Sequence, residues 1–237
     1  MPPSTPLALP KSHPSPAIFQ VLLDRYKSLR LTSLLLSPSC FGSTHAREVA
    51  FPPEKWVSRL TNPGATTIII YEDATPSPDT LPTSATPSTD NDDSASLGKA
   101  LTAEWLATLT ITGPLDAETL STSLLDFGPK HQPSPDVPMS QYVINGMFVT
   151  PSARGKQLGT KLLEFAKAHV ASEIATTHAE GKEKERAQIS LIVDYDNEPA
   201  RKTYGRSGFE IVRRYWFNDY REGRESRTEA AVMTLDL

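Results

Sequence analysis

The chain has 237 residues, enough for one generous α/β domain or two small ones with a true hydrophobic core, and too many for a disulfide-stapled miniprotein. Its 24 Lys and Arg stand against 28 Asp and Glu, and the net charge of -4 has the wrong sign for gripping a polyanionic duplex, so nucleic acid is not expected as a partner. Cys40 is the one cysteine, which excludes an intrachain disulfide and a thiolate metal cluster and ties nothing in the chain to an oxidising compartment. A cytoplasmic address fits best, and a nuclear one is compatible.

Residues 1–16 hold six prolines, lack the basic start and apolar run of a secretory signal, and read as a disordered N-terminal segment. No stretch approaches the ~20 apolar residues that a membrane span requires, so no membrane partner is expected. The rest, 17–237, reads as a single domain from which two Pro-rich inserts loop out, at about 73–99 and 128–139, each with almost nothing to bury. The first insert is acidic, with six acids and no base from Glu72 to Asp93.

Around these inserts, periodicity gives the elements. Ile18, Val21, Leu22, Tyr26, Leu29 and Leu34 trace a helical stripe over 18–37. A short helix at 51–60 is entered through proline and stopped at Asn62-Pro63-Gly64. The β-branched run 65–71 (ATTIIIY) is a strand, and 103–112 pairs with it as a hairpin whose tip is the acidic insert. Another strand covers 141–150, with a bulge expected at Asn145-Gly146. A loop over 151–160 then opens a long helix with Leu158, Leu162, Phe165, Ala166 and Val170 on one face. The strand 187–194, a short helix over 197–207 capped by Gly208, and two antiparallel strands at 209–217 and 230–237 complete the chain.

Two segments carry chemistry. RGKQLG, 154–159, sits between a strand and a helix N-terminus, where unpaired amides and the helix dipole favour an anion. Two glycines relieve crowding, and Arg154 and Lys156 add positive charge; taken alone, the segment also fits an ordinary tight turn. It is not a Walker A loop, because Gly159 is followed by Thr160-Lys161 and Arg154 stands where the earlier glycine belongs. It is not GxGxxG either, since Gly155 and Gly159 are four apart with Gln157 between them. In NEPARKTYGRSGF, 197–209, Asn197 and Tyr204 are seven apart and share a helix face with the small Ala200 between them. Singly, Asn197 is a natural N-cap, Tyr204 a core aromatic and Gly208 a C-cap.

Together and in this order, FVTPSARGKQLGTKLL and NEPARKTYGRSGF resemble the GNAT superfamily of acetyl-CoA-dependent N-acetyltransferases. The first is similar to that family's Q/R-x-x-G-x-G/A pyrophosphate loop, the second to its late helix N-x-x-A-x-x-x-Y-x-x-x-G-F. The resemblance covers 141–217 well and the earlier elements more loosely. One departure is Gln157, which stands where the family has its first loop glycine. A second is the lack of His or Glu in the QYVINGMFV strand, where many relatives carry a base.

The resemblance implies a mixed, mostly antiparallel central sheet flanked by helices, with splayed central strands. It implies transfer of an acetyl group from acetyl-CoA to a primary amine of a small molecule or peptide by direct attack, with CoA as product and no metal. The amides of Arg154, Gly155, Lys156, Gln157, Leu158, Gly159 and Thr160 would hold the diphosphate. Phe148 and Val149 would bond the pantetheine, with Asn197 and Ala200 beside it. Tyr204 would protonate the leaving thiolate, a phenol of pKa ~10 serving a thiol near ~8.5. Asp194, at a strand end, is the nominated base, with His45, Glu48 and a water relay as alternatives. Phe41, Gly42, Trp56 and Trp216, with Tyr215 and Phe217, would wall the acceptor pocket, towards which the acidic insert would draw cationic amines. A monomer or homodimer is expected. The competing expectation is a catalytically weak or inactive CoA-binding sensor or adaptor of the same fold.

Overall fold

The computed structural model describes residues 4–72, 89–124, 139–179, 186–221, 224 and 226–237. The β-branched run becomes β2 (Ala65–Glu72), and its pleat sends Ile68 and Ile70 to one helical layer and Ile69 and Tyr71 to the other. Burial on both faces is why this stretch reads as continuous apolar sequence. It pairs antiparallel with β3 (Trp105–Leu115), as the hairpin reading expects. β4 (Met139–Val149), β5 (Arg186–Asp194), β6 (Glu210–Asn218) and β7 (Arg227–Asp236) complete a seven-stranded sheet with β1 (Ser4–Ala8), in the order β1-β2-β3-β4-β5-β7-β6. Among the described residues, only the β4–β5 pair is parallel.

Helices cover both faces. α6 (Leu158–Ala179) lays Leu158, Leu162, Leu163, Ala166 and Val170 on the alternate residues of β2–β5, and α7 (Glu198–Arg206) adds Tyr204 to the same cluster. On the other face, α1 (Pro16–Leu36) and α3 (Pro53–Thr61) bury Leu22, Leu29, Leu34, Trp56 and Leu60 against Ile69, Tyr71 and Phe148. α1 starts with proline in its first turn, and the Ser15 hydroxyl accepts from the Ile18 amide. Among the described residues, no helix is long and apolar enough to cross a membrane.

Three features depart from the sequence reading. The segment 1–16, expected to be disordered, contributes β1, which continues the sheet beyond β2 through register pairs from Ser4↔Glu72 to Ala8↔Ile68. The acidic insert, expected over 73–99, contains α4 (Thr89–Ala100), whose Leu97 and Ala100 pack with Trp105. Its remainder, 73–88, and nearly all of the second insert lie outside the described residues. A seven-residue helix, α5 (Ala117–Ser123), follows β3 and is capped by Asp116, which accepts from the Thr119 amide at 2.8 Å.

Between α1 and α3, the short helix α2 (His45–Val49) drives Glu48 fully out of solvent. Its carboxylate accepts from Arg30 Nε at 3.1 Å, Arg30 Nη2 at 2.7 Å and Arg59 Nη1 at 2.7 Å, which ties three helices at one point. Burial alone would push this carboxyl up; the hydrogen bonds from Arg30 and Arg59 overcome it and bring the pKa down to about 2. Glu48→Gln leaves two guanidiniums facing a neutral amide and is expected to cost about 3 kcal/mol at neutral pH. Because the folded pKa is depressed, this stabilisation is complete above about 4.5 and fades as the pH falls towards about 2. Urea denaturation of wild type and variant across that range should show the gap closing in acid; a gap independent of pH would contradict the ion-pair account.

Candidate active site

The parallel ladder between β4 and β5 runs only from Met139↔Arg186 to Val143↔Ser190. Beyond it β4 stays with β3 and β5 with β7, so the two central strands diverge. The cause lies in β4: its pairing with β3 steps from Thr110↔Asn145 to Thr108↔Phe148, one residue more on β4 than on β3. Gly146 takes φ +63 within that bulge, a conformation that glycine adopts without steric clash. A groove of about 970 Å³ opens in the V, floored by Ile144 to Met147 on one side and Ile192 to Asp194 on the other.

At the end of β4, a 3₁₀ turn (Pro151–Ala153) leads into α6. Buried Ala153 and Leu158 pin the two ends of the connecting loop to the core. The Arg154 amide closes the turn on the Pro151 carbonyl, and its guanidinium reaches the Val149 carbonyl at 3.3 Å and the Ser37 hydroxyl at 3.2 Å. Arg154 thus braces β4 to the end of α1, and its amide, engaged by Pro151, is not among the free ones. The amides from Gly155 to Thr160 donate to no protein acceptor among the described residues, and the first amide of the helix ladder to do so is Lys161, bonded to the Gln157 carbonyl.

Gly155 lies at φ +79 and Gln157 at φ +58, so the loop alternates through left-handed backbone as an anion-binding nest does. The Gln157 side chain is exposed and the turn keeps its shape, with the strain placed in the backbone. A Cβ at Gly159 would meet Met147 Cε at 2.8 Å and Thr203 Cγ2 at 3.3 Å, so a side chain there would displace the flexible end of Met147 where α6 packs on β4 and α7. For a non-glycine residue the left-handed conformation costs about 1–2 kcal/mol, partly offset by the roughly 0.5–1 kcal/mol of extra chain entropy that glycine loses on folding. Gln157→Gly is therefore expected to raise folding stability by about 0.5–1 kcal/mol in a denaturant titration, and a net loss would show that the glutamine side chain contributes a contact.

On the far side of the groove, α7 begins at Asn197, whose Oδ1 accepts from the Ala200 amide at 3.3 Å and whose Nδ2 donates to the Cys40 sulfur at 3.7 Å. Ala200 and Tyr204 line the groove. Tyr204 is 8 % exposed, and burial pushes its phenol well above the usual value, with the neighbouring Cys40 thiol adding to the shift.

Asp194 is committed elsewhere. Its Oδ1 accepts from Arg221 at 3.1 Å and its Oδ2 from Arg221 at 2.9 Å and Arg224 at 2.6 Å. The same arginines bond the Ser39 carbonyl, and Arg221 also holds Asp219 at 2.6 Å, keeping that carboxyl well below its ordinary range. A carboxylate whose two oxygens serve two guanidiniums is a fastening for the β6–β7 connection, so the expectation of Asp194 as base is withdrawn. Glu48 is excluded by the same argument. His45 opens α2 and is not among the residues lining the groove.

The expected acceptor residues divide. Phe41 and Gly42 line the groove, with Phe41 tilted against Phe148 at 6.5 Å. Trp56 does not: it is 1 % exposed beneath α1, flanked by Tyr26 at 6.1 Å and Phe51 at 5.9 Å. Strand alternation turns Tyr215 and Phe217 into the groove and Trp216, 57 % exposed, away from it. Sequence reasoning missed Arg221, whose position past the end of β6 carries no periodic signal.

Residues 129–211 match the family model described as Acetyltransferase (GNAT) domain. Among solved structures, the chain is similar to Arabidopsis thaliana NAA60 in complex with acetyl-CoA, at 13% identity, covering 99% of each chain with a TM-score of 0.53. It is similar to a GNAT-family acetyltransferase of Streptococcus pneumoniae at 13% identity, 99% of each chain and a TM-score of 0.52. The ribosomal-protein-S18-alanine N-acetyltransferase from Escherichia coli follows at 12% identity, 98% of this chain and 93% of that one, with a TM-score of 0.50. No curated protein matches the chain. The motifs, the matched domain and the architecture agree: the chain carries the GNAT acetyltransferase fold, with the mostly antiparallel sheet and splayed centre that the resemblance implies.

Proposed function

We propose that the protein is an N-acetyltransferase that moves an acetyl group from acetyl-CoA to a primary amine of a small molecule or peptide by direct attack, releasing CoA. The observation that carries this reading is the groove that opens beside the splayed β4 and is lined by Tyr204, together with the free amides from Gly155 to Thr160 in the loop that follows β4. The donor supplies an activated thioester; the chain holds it, orients it and stabilises the sulfur as it leaves.

Amides that donate to no protein acceptor, at the N-terminus of a 22-residue helix, suit a diphosphate, and each charge-assisted hydrogen bond contributes about 1.5–3 kcal/mol. Exposed Lys156 adds charge beside them. The unpaired edge of β4 near Phe148 and Val149 suits the amide groups of a pantetheine arm, with Asn197 and Ala200 on the facing helix. Tyr204 stays protonated throughout the physiological range, because burial raises its pKa. So weak an acid serves as a hydrogen-bond donor to the developing thiolate rather than as a full proton donor. With Asp194 and Glu48 both held in ion pairs, the proton of the attacking amine leaves to water in the groove.

Tyr204→Phe is expected to lower kcat by about 10²–10³ while changing the affinity for acetyl-CoA less than about twofold, as for the loss of one donor to a developing anion. Unchanged turnover under conditions where chemistry limits the rate would remove Tyr204 from the reaction. A CoA-binding sensor is the second reading, favoured by the strained Gln157 and by the ion pairs that occupy both nominated carboxylates.

Cys40 separates the two readings, being exposed, alone in the chain and part of the groove lining. Saturating acetyl-CoA should slow its alkylation by iodoacetamide at least about tenfold if the donor fills this groove. Protection with thiol release on adding amines supports the enzyme; protection without thiol release across a broad amine panel supports the sensor; no protection contradicts both.

A further inference from the structure

The two walls of the groove differ in charge. On the strand side the lining carboxylates Asp194 and Asp219 face one lining cation, Arg221, while Arg224, outside the lining, is shared between Asp194 and Asp196. The helix side carries the opposite sign. Arg30, Arg47, Lys55 and Arg59 line it with Glu48 as the single carboxylate, a surplus of three positive charges in a protein whose overall charge is -4. Glu48 is spent on Arg30 and Arg59, and those guanidiniums are further fixed over the rings of Phe41 at 4.8 Å and Phe51 at 4.9 Å. Arg47 and Lys55 are exposed and have no carboxylate partner among the described residues. The positive field extends to the reacting region, because Arg30 Nη1 lies 3.8 Å from where a Cβ on Gly146, in the β4 bulge, would stand.

From this asymmetry we infer that the acceptor is an anionic amine, one that carries a carboxylate close to the amino group that is acetylated, with Arg47 and Lys55 as the residues that select it. The inference rests on the acetyltransferase reading and goes beyond it by naming the substrate's charge. A groove with low-dielectric aromatic walls focuses the field of its charges, so the preference lies in capture of the substrate and weakens as salt screens it. Glu72 ends β2 and is not among the groove-lining residues, and the acidic stretch 73–88, expected to draw cationic amines, lies outside the described residues. The amides that suit the donor's diphosphate belong to the loop after β4, and none of residues 155–160 is among the residues that line the groove with Arg47 and Lys55.

The test compares short peptides with a free α-amine that differ only in Glu against Gln at the first three positions. Thiol release should give kcat/KM at least about tenfold higher for the acidic member at low salt, the ratio falling towards one at high salt. In the double variant Arg47→Glu with Lys55→Glu, at two exposed positions, the ratio should drop to one or below. In parallel, calorimetry on the CoA-saturated protein reads peptide binding without turnover, and the acidic peptide should bind at least about tenfold more tightly. Equal values for both peptides in the wild type, or a preference untouched by the double charge reversal, overturn the inference. A double variant that loses affinity for CoA while keeping its discrimination also overturns it, by assigning the two cations to the donor. Absence of thiol release from every amine counts against the acetyltransferase reading alone, because the calorimetric comparison still decides whether the site selects anions.

Discussion

One extra residue in β4 governs the shape of the molecule's centre. The bulge at Asn145 to Met147 bends the strand away from β5 after five paired residues. Without that divergence the parallel ladder would continue to the strand ends, and both edges would be consumed in hydrogen bonding. With it, a row of β4 backbone groups faces a groove, the loop that follows β4 keeps its amides free, and α7 brings Tyr204 to the groove lining. Gly146 at φ +63 makes the bulge affordable.

A groove that cuts into a sheet sacrifices cooperativity at the point where precision matters, and two ion-pair knots restore it. Glu48 joins α1, α2 and α3 into a rigid helix-side wall. Arg221 and Arg224 join β5, the β6–β7 connection and the Ser39 carbonyl, fastening the strand-side wall to the same loop that carries Cys40 and Phe41. Each knot is formed by residues distant in sequence, and each removes a carboxylate from the list of available bases. The consequence for chemistry is that the described groove offers hydrogen-bond donors and positive charge in abundance and proton acceptors sparingly.

What could be read in the sequence follows from how local each signal is. The loop 154–159, the long helix after it and the α7 pattern are short-range features written in consecutive residues, and they stand where the spacing puts them. The β4 bulge was legible for the same reason, from Asn145-Gly146. β1 was not: Ser4–Ala8 contains a proline, has little β-propensity, and becomes a strand because the edge of β2 accepts it. Trp56 and Trp216 show the complementary failure. Aromatic residues near a groove in sequence order are divided by side-chain direction: helix spacing turns Trp56 inward to Tyr26, and strand alternation turns Trp216 outward from Tyr215 and Phe217. Asp194 was visible as a carboxylate at a strand end, but its partners lie 27 and 30 residues away in a connection with no periodic pattern.

The account stands on the amides at the mouth of α6 taking a diphosphate while the groove takes the rest of the donor. Calorimetric titration of the protein with CoA and, separately, with pantetheine, which shares the thiol arm but lacks the diphosphate, tests this most directly. The account predicts saturable one-to-one binding of CoA and an affinity for pantetheine at least about 100-fold weaker, the equivalent of two charge-assisted hydrogen bonds. Equal affinities, or no saturable binding of CoA, would contradict it.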